Sequence, residues 1–281
     1  MTLYLNFRSA ATGGAVVDPY VLEGDPTASP LILRPVGWPE LTRIVAGKNI
    51  LFAAHGFNVS YEQGARSFFQ LEPQLGLSAS DVFFGVLWPG DYWVPVINYP
   101  FEGRVSMDCG RRLAAFCQRW LGQAQSLSFI SHSLGARLVL EAVKYLDRPA
   151  RTVCLTAAAI NRDCLETEYS DAAANASAIS LLASHEDQVL KLAFAIGDPI
   201  SDLLHDDHSP FQKALGYDGP PTPAPPLVAS PWQIPDADRY GHGDYLPPGS
   251  AASGPVDNKW ERAATFMARA FRQQPQGWPG S

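Results

Sequence analysis

Ser133 stands in a short run of mostly small residues that is typical of a nucleophilic serine. It is the centre of the pentapeptide Ser131-His132-Ser133-Leu134-Gly135. Apolar residues typical of a buried strand precede this pentapeptide, and apolar residues at helical spacing follow it. The order predicts a sharp strand-to-helix turn that holds the serine hydroxyl out at the end of a sheet. The alternative is an ordinary turn whose serine caps the helix.

A serine hydroxyl becomes an effective nucleophile when a histidine takes its proton and a carboxylate orients that histidine. His242 is our candidate for this base, because it comes late in the chain, between two glycines and shortly before the last predicted helix. His55 precedes the nucleophile and ends a strand, where it fits an oxyanion loop better. His132 is expected to point away from Ser133, and packing or local hydrogen bonding is its expected role. A turn histidine without function is the alternative for His242.

The orienting carboxylate is expected between the nucleophile and the base in the chain. Asp187 is our first candidate, because it follows a predicted strand and should lie at the carboxyl edge of a parallel sheet, where sites form. Asp163, after the preceding strand, is the second candidate, and Glu186 is the third. A solvated loop carboxylate is the alternative for each of them.

Backbone N–H groups are expected to stabilise the negative charge that develops on an attacked carbonyl oxygen. One donor is the N–H of the residue after the nucleophile, Leu134. The second is expected in the loop His55-Gly56-Phe57-Asn58, which follows a predicted strand. Gly56 lets that backbone turn inward, so we predict that Phe57 donates its N–H. His55 and Gly56 would then lie against the bound substrate.

No metal or organic cofactor is predicted. His205 and His208 frame two aspartates, but no further ligands support a metal site, and an exposed loop is the preferred interpretation. The cysteines lack Cys-x-x-Cys spacing and stand at positions 109, 117, 154 and 164. We interpret them as buried free thiols, which fits a reducing cytoplasm.

Strands and helices alternate along the chain. Strands are predicted at 3–7, 48–54, 81–88, 125–131, 151–158 and 178–184, and a further short one near 31–33 within the loop-like, Gly- and Pro-rich stretch 13–39. Helices are predicted at 61–75, 104–121, 134–146, 188–196 and 258–273. The alternation predicts an α/β fold with a mainly parallel central sheet and helices on both faces. Residues 1–281 are expected to form a single domain.

Two stretches interrupt the alternation and are candidate lid or pocket segments, 88–104 and 198–226. The first holds aromatic residues among prolines, and we predict that Trp88, Tyr92 and Trp93 line a substrate pocket. An aromatic loop packed on the core is the alternative. The second ends in a proline-rich run, which we interpret as a stiff connector within the domain.

Charge and composition limit the partners. A net charge of -7 and a pI near 5.3, without a run of Lys and Arg, argue against nucleic acid and anionic membranes as partners. The first residues lack the pattern of a signal peptide, and no apolar run is long enough to span a membrane. We expect a cytoplasmic protein that acts on a small uncharged molecule, either alone or as a homo-oligomer.

Five motifs carry a family resemblance: His-Gly-Phe-Asn-Val-Ser at 55–60, Leu-Trp-Pro at 87–89, Ser-His-Ser-Leu-Gly at 131–135, Ser-His-Glu-Asp at 184–187 and Gly-His-Gly-Asp-Tyr at 241–245. Together they resemble the α/β-hydrolase superfamily, and within it a bacterial serine-esterase-like family of hydrolases of unknown function. The resemblance implies that fold and a triad of Ser133, Asp187 and His242, but little about substrate. The family often has Met where Leu134 stands and Ala or Gly where Ser131 stands, and serine is still small.

These observations together predict a hydrolase that cleaves carboxylic esters through an acyl-enzyme on Ser133. Phe57, Trp88 and Leu134, with the two aromatic residues at 92 and 93, would form a compact apolar pocket for short or medium acyl chains or aromatic groups. The same machinery serves thioesterases, amidases and acyltransferases, and the sequence does not separate them. A non-catalytic scaffold that binds a ligand is the alternative from a different class.

Overall fold

Strands and helices alternate through most of the structure. The computed structural model describes residues 2–10, 14–26, 31–91, 99–195, 213–221, 232–249, 258–274 and 277–279. The strands are β1 (Thr2–Arg8), β2 (Val16–Gly24), β3 (Arg34–Pro35), β4 (Asn49–Ala54), β5 (Asp81–Leu87), β6 (Ser126–His132), β7 (Thr152–Thr156) and β8 (Ile179–Leu182). The helices are α1 (Trp38–Val45), α2 (Tyr61–Gln74), α3 (Tyr99–Trp120), α4 (Gly135–Tyr145), α5 (Ser170–Ala174), α6 (Gln188–Ala195), α7 (Leu215–Asp218) and α8 (Lys259–Phe271).

One sheet contains all of these strands, in the order β3-β2-β1-β5-β4-β6-β7-β8. In this order, every neighbouring pair from β1 across to β8 is parallel. At the opposite edge, β2 pairs antiparallel with both β1 and β3. The carboxyl ends of β4, β6, β7 and β8 therefore meet at the same edge of the sheet. The predicted α/β fold with a mainly parallel sheet is confirmed.

Helices cover both faces of the sheet, and the strand sequences explain why. Successive side chains of a strand point to opposite faces, so a strand in the middle of such a sheet is apolar throughout. In β4, Ile50, Phe52 and Ala54 belong to one hydrophobic cluster, and Leu51 and Ala53 belong to another. The first cluster includes residues of α1, α3, α4 and α5, and the second includes residues of α2, α6 and α8.

The stretch 13–39 is more ordered than the loops that were predicted there. Val16–Gly24 forms β2, the short strand expected near 31–33 lies at Arg34–Pro35, and Trp38–Val45 forms α1. The sequence did not predict β2 because it contains Pro19, and a proline usually argues against a strand. The register with β1 becomes irregular between Asn6 and Arg8, close to where β1 pairs with the residues around that proline.

All four cysteines are buried and none forms a disulfide, as predicted. Burial raises the pKa of the thiols of Cys117, Cys154 and Cys164. These thiols therefore stay protonated near neutral pH, and they act as small apolar side chains in the core.

Much of the two candidate lid or pocket segments lies outside the described residues, namely 92–98 of the first and 198–212 and 222–226 of the second. His205 and His208, in the second segment, also lie outside the described residues. In the ranges that the structure does describe, no helix has the length and apolar character needed to cross a membrane. The same ranges contain no group of three or more His, Cys, Asp and Glu side chains placed to hold a metal ion.

Gly110 allows α3 and α4 to pack closely. A Cβ at this position would lie 2.5 Å from the carbonyl oxygen of Leu138 and 2.8 Å from Cβ of Glu141. Gly110→Ala is therefore expected to lower the free energy of unfolding by about 1–3 kcal/mol, because the helices must separate. Gly122→Ala is the matched control: a Cβ there meets no atom within 4 Å, and a small gain in stability is expected. Urea unfolding curves measure both, and equal stabilities would contradict the close packing.

Candidate active site

The turn between β6 and α4 is strained at Ser133. This residue has a φ of 53°, in the left-handed region that residues with a Cβ rarely adopt. Its N–H donates to the carbonyl oxygen of Thr156 in β7 across 3.0 Å. Gly135 lies so close to the end of β4 that a Cβ there would be 2.5 Å from the carbonyl oxygen of His55. The predicted sharp strand-to-helix turn is present, at the carboxyl edge of the sheet.

Ser133, His242 and Asp187 form one continuous chain of hydrogen bonds. Nδ1–H of His242 donates to Oδ2 of Asp187 across 2.8 Å, since an ionised carboxylate can only accept. In the neutral imidazole with its hydrogen on Nδ1, the other ring nitrogen, Nε2, accepts from the Ser133 hydroxyl across 2.8 Å. A histidine in this state can take the serine proton, and its carboxylate partner can stabilise the charge that results.

Asp187 is completely buried, at 0% exposure. Its second carboxylate oxygen, Oδ1, accepts the N–H of Leu190 across 3.0 Å, so both oxygens have partners that replace water. Asp163 and Glu186, the other two candidates, make no hydrogen bond or ion pair with His242 within the described ranges. The structure thus brings the first-ranked carboxylate to the histidine.

The loop that carries His242 is tied to the end of β8. Ala183, just after that strand, forms a parallel bridge with Gln233. The Ser184 hydroxyl donates to the carbonyl oxygen of Tyr240 across 2.8 Å. Residues just after β8 lead to Asp187 and also anchor the segment that leads to His242. Asp187 and His242 are therefore brought together at the end of this strand.

Gly56 brings the loop after β4 against the serine. A Cβ on Gly56 would lie 2.8 Å from Cβ and 3.3 Å from Oγ of Ser133. Asn58 closes this loop with a φ of 58°, and its N–H donates to a carbonyl oxygen after β5 across 2.6 Å. The N–H groups of Phe57 and Leu134 make no hydrogen bond to any described part of the chain. Two backbone donors, one next to the serine in the chain and one in the loop against it, therefore have no partner among the described residues.

His55 and Trp88 lie beneath this loop, and the prediction that they contact substrate is corrected. They are 1% and 0% exposed, and their rings stack with 5.5 Å between centroids. The indole N–H of Trp88 donates to the carbonyl oxygen of His55 across 2.9 Å. Both side chains therefore support the loop from the core. Tyr92 and Trp93, predicted to line the pocket, lie outside the described residues.

Phe57 keeps an exposed face, unlike the other apolar pocket residues that the structure describes. Its side chain is half-buried. Leu134 is 0% exposed, and its side chain belongs to the core. The predicted lining by the Leu134 side chain is therefore corrected, and this residue can contribute only its backbone N–H.

Arg8 supports the same loop, although the sequence did not point to it. Its guanidinium is completely buried and pairs with Oδ1 of Asp91 across 2.6 Å. Its Nη2 donates to the carbonyl oxygen of Val59 across 2.7 Å. The end of β1 is thus joined to the loops after β4 and β5. The only sequence signal was a charged residue at the end of a largely apolar strand.

Two histidines near the serine are held in their neutral form. Burial lowers the pKa of His55 from 6.5 to about 3, and the positive charge of Arg8 adds to the shift. Its Nδ1–H donates to the carbonyl oxygen of Gly56 across 2.8 Å. Burial likewise lowers the pKa of His132 to about 3, with a further contribution from His242.

The sheet, its covering helices and the strained serine turn place the protein in the α/β-hydrolase class. Residues 40–250 match the family described as "Alpha/beta hydrolase of unknown function (DUF900)", and the chain belongs to this family. The resemblance seen in the motifs is thereby confirmed. The crystal structure of esterase PE8 is similar to this chain with a TM-score of 0.42 and 13% sequence identity, covering 81% of this chain and 95% of that one. No curated protein matches the chain.

The two neutral histidines predict how stability depends on pH. An unfolded chain takes up protons at His55 and His132 near pH 6.5, whereas the folded protein binds them only near pH 3. Their contribution is present above pH 6.5 and is lost as the pH falls toward 3. The free energy of unfolding should therefore fall between about pH 7 and pH 5.

The variant His55→Gln removes one of the two groups. The unfolded variant takes up about one proton fewer than unfolded wild type in this pH range. The slope of the free energy of unfolding against pH should therefore decrease by at most about 1.4 kcal/mol per pH unit. Urea unfolding at a series of pH values measures this slope. The same slope in variant and wild type would contradict a neutral, buried His55.

Proposed function

We propose that this protein is a serine hydrolase that cleaves carboxylic esters through an acyl-enzyme on Ser133. His242 is the general base, and Asp187 orients it. The observation that carries the proposal is the unbroken chain of hydrogen bonds from the serine through the histidine to the buried carboxylate, 2.8 Å at each step. A structural serine in a turn would need neither of these partners.

In the proposed reaction, Oγ of Ser133 attacks the ester carbonyl carbon while its proton passes to Nε2 of His242. The carbonyl electron pair moves onto the oxygen, and the N–H groups of Phe57 and Leu134 stabilise this oxyanion. When the tetrahedral intermediate collapses, the bond to the alcohol oxygen breaks and His242 gives the proton to the departing alcohol. Water then attacks the acyl-enzyme by the same route, which releases the carboxylic acid and restores the serine.

Short or medium acyl esters, or aromatic esters, are the proposed substrates. Phe57 follows Gly56, which lies against the serine, and its half-buried apolar ring favours an apolar group in the substrate. The net charge of -7 favours an uncharged molecule over an anionic one. No organic cofactor or metal has a role in the proposed steps.

The variant Ser133→Ala tests the nucleophile. We expect it to lower hydrolysis of p-nitrophenyl esters by about 10⁴-fold and to abolish labelling by a fluorophosphonate. Ser131→Ala is the matched control from the same turn. The hydroxyl of Ser131 is buried and has no hydrogen-bond partner in the described ranges, so labelling should persist. Undiminished labelling of Ser133→Ala would overturn the proposal.

The substrate panel varies the acyl length and the alcohol, and it includes a thioester and an anilide. Faster turnover of the thioester or anilide would reassign the substrate class while keeping the nucleophile. Absence of labelling and of turnover in the wild type, with saturable binding of one panel member, would indicate a non-catalytic scaffold.

The variant Gly56→Ala tests the oxyanion loop. The new Cβ would lie 2.8 Å from Cβ of Ser133, so the loop or the serine must move and kcat/KM should fall by about 10²-fold. Gly243→Ala, in the loop that carries the base, is the control. A Cβ there meets no atom within 4 Å, and kcat/KM should stay close to that of wild type. If both variants keep full activity, the loop does not form the oxyanion site.

A further inference from the structure

His132 makes a hydrogen bond that no step of the proposed reaction uses. Its Nε2 lies 2.7 Å from the main-chain carbonyl oxygen of His242. A carbonyl oxygen only accepts, so Nε2 of His132 carries a hydrogen and donates it. His132, directly before Ser133, is therefore hydrogen-bonded to the backbone of His242.

The ring of His132 is also packed between groups of the site. Its centroid lies 5.0 Å from that of the His242 ring and 6.0 Å from that of the Tyr245 ring. Its Nδ1 faces Gly56, where a Cβ would come within 3.0 Å of it. These neighbours leave the ring little freedom to turn away from the carbonyl that it holds.

The backbone of His242 has few other ties to the rest of the fold. Glycines flank it on both sides, and within the described ranges no other donor reaches its carbonyl oxygen. The N–H of Gly241 does not bond to the sheet. It donates to Oδ2 of Asp244 across 2.8 Å, within the same loop. A small shift of this backbone would lengthen both side-chain hydrogen bonds of His242 together.

His132 is well suited to be a permanent donor. With its pKa lowered to about 3, the ring stays neutral near neutral pH. A neutral ring adds no positive charge beside His242, where a second cation would oppose proton uptake from the serine. The hydrogen bond can therefore persist before and after the proton moves.

We propose that His132 is a positioning residue: its Nε2–H holds the backbone of His242 in place, so that the imidazole keeps its hydrogen bonds to Ser133 and Asp187 during proton transfer. This inference rests on the proposed function. It assigns to the residue before the nucleophile a role beyond packing in the turn.

Three substitutions separate the hydrogen-bond donor from the ring. In His132→Gln the amide nitrogen can take the place of Nε2, in His132→Asn the side chain is too short to do so, and His132→Phe keeps a ring without a donor. We expect kcat of the Gln variant to stay within about threefold of wild type. The Asn and Phe variants should lose about 10- to 100-fold in kcat with KM changed by less than about twofold. The rate of fluorophosphonate labelling should fall in parallel.

Two outcomes of these kinetics would overturn the proposal. Unchanged kcat in all three variants would mean that the bond is not needed, and a Gln variant as slow as the Phe variant would mean that only the shape of the ring matters. Melting temperatures identify any variant that does not fold. Turnover and labelling of the wild type test the proposed function separately, so an active wild type with unaffected variants counts against His132 alone.

A second measurement decides the matter where a variant does not fold. In wild type labelled with ¹⁵N-histidine, the signals of His132 are assigned by their absence from any one of the three variants that does fold. A neutral ring with its hydrogen on Nε2 is expected at about pH 7. A charged ring, or a hydrogen on Nδ1, would overturn the proposal.

Discussion

The carboxyl ends of β4 and β6 lie so close together that residue 135 has no room for a side chain. A Cβ on Gly135 would be 2.5 Å from the carbonyl oxygen of His55 and 2.9 Å from that of Ala54. The contact follows from the pairing of these strands, whose last matched residues are Ala54 and Ser131. Because the strands end together, the turn that holds the serine and the loop that begins at His55 share one edge. The approach of Gly56 to Ser133 also occurs at this edge.

The three residues of the proposed triad could be predicted because parallel strands end at a common edge. Ser133 and Asp187 each follow a strand, and His242 comes after both in the expected order. Choosing Asp187 over Glu186 rested only on the end of a strand, and the structure adds a physical reason. Oδ1 of Asp187 accepts the N–H of Leu190 and so caps the first turn of α6, which leaves Oδ2 directed at the histidine.

Contacts between distant parts of the chain are what the sequence could not predict. Arg8 reaches carbonyl and carboxylate groups that are 51 and 83 residues away, and no local pattern indicates such partners. His55 and Trp88 were correctly placed near the serine but on the wrong side of the loop. Position in the chain puts a residue at the edge of a sheet, whereas packing decides whether its side chain faces the core or the solvent. β2 was missed for a related reason, because an irregular strand pairing accommodates a proline that local rules exclude.

One residue of β7 holds the strained turn on both sides. The Thr156 hydroxyl donates to the carbonyl oxygen of Ser131 across 2.8 Å, and the Thr156 carbonyl oxygen accepts the N–H of Ser133 across 3.0 Å. A left-handed residue with a Cβ costs about 1–3 kcal/mol, and two such bonds, at about 0.5–1.5 kcal/mol each, offset much of that cost. Ser131 contributes to this arrangement through its backbone, since its hydroxyl has no partner among the described residues. The serine at position 131 is completely buried, and it adds a hydroxyl that the described part of the turn does not use.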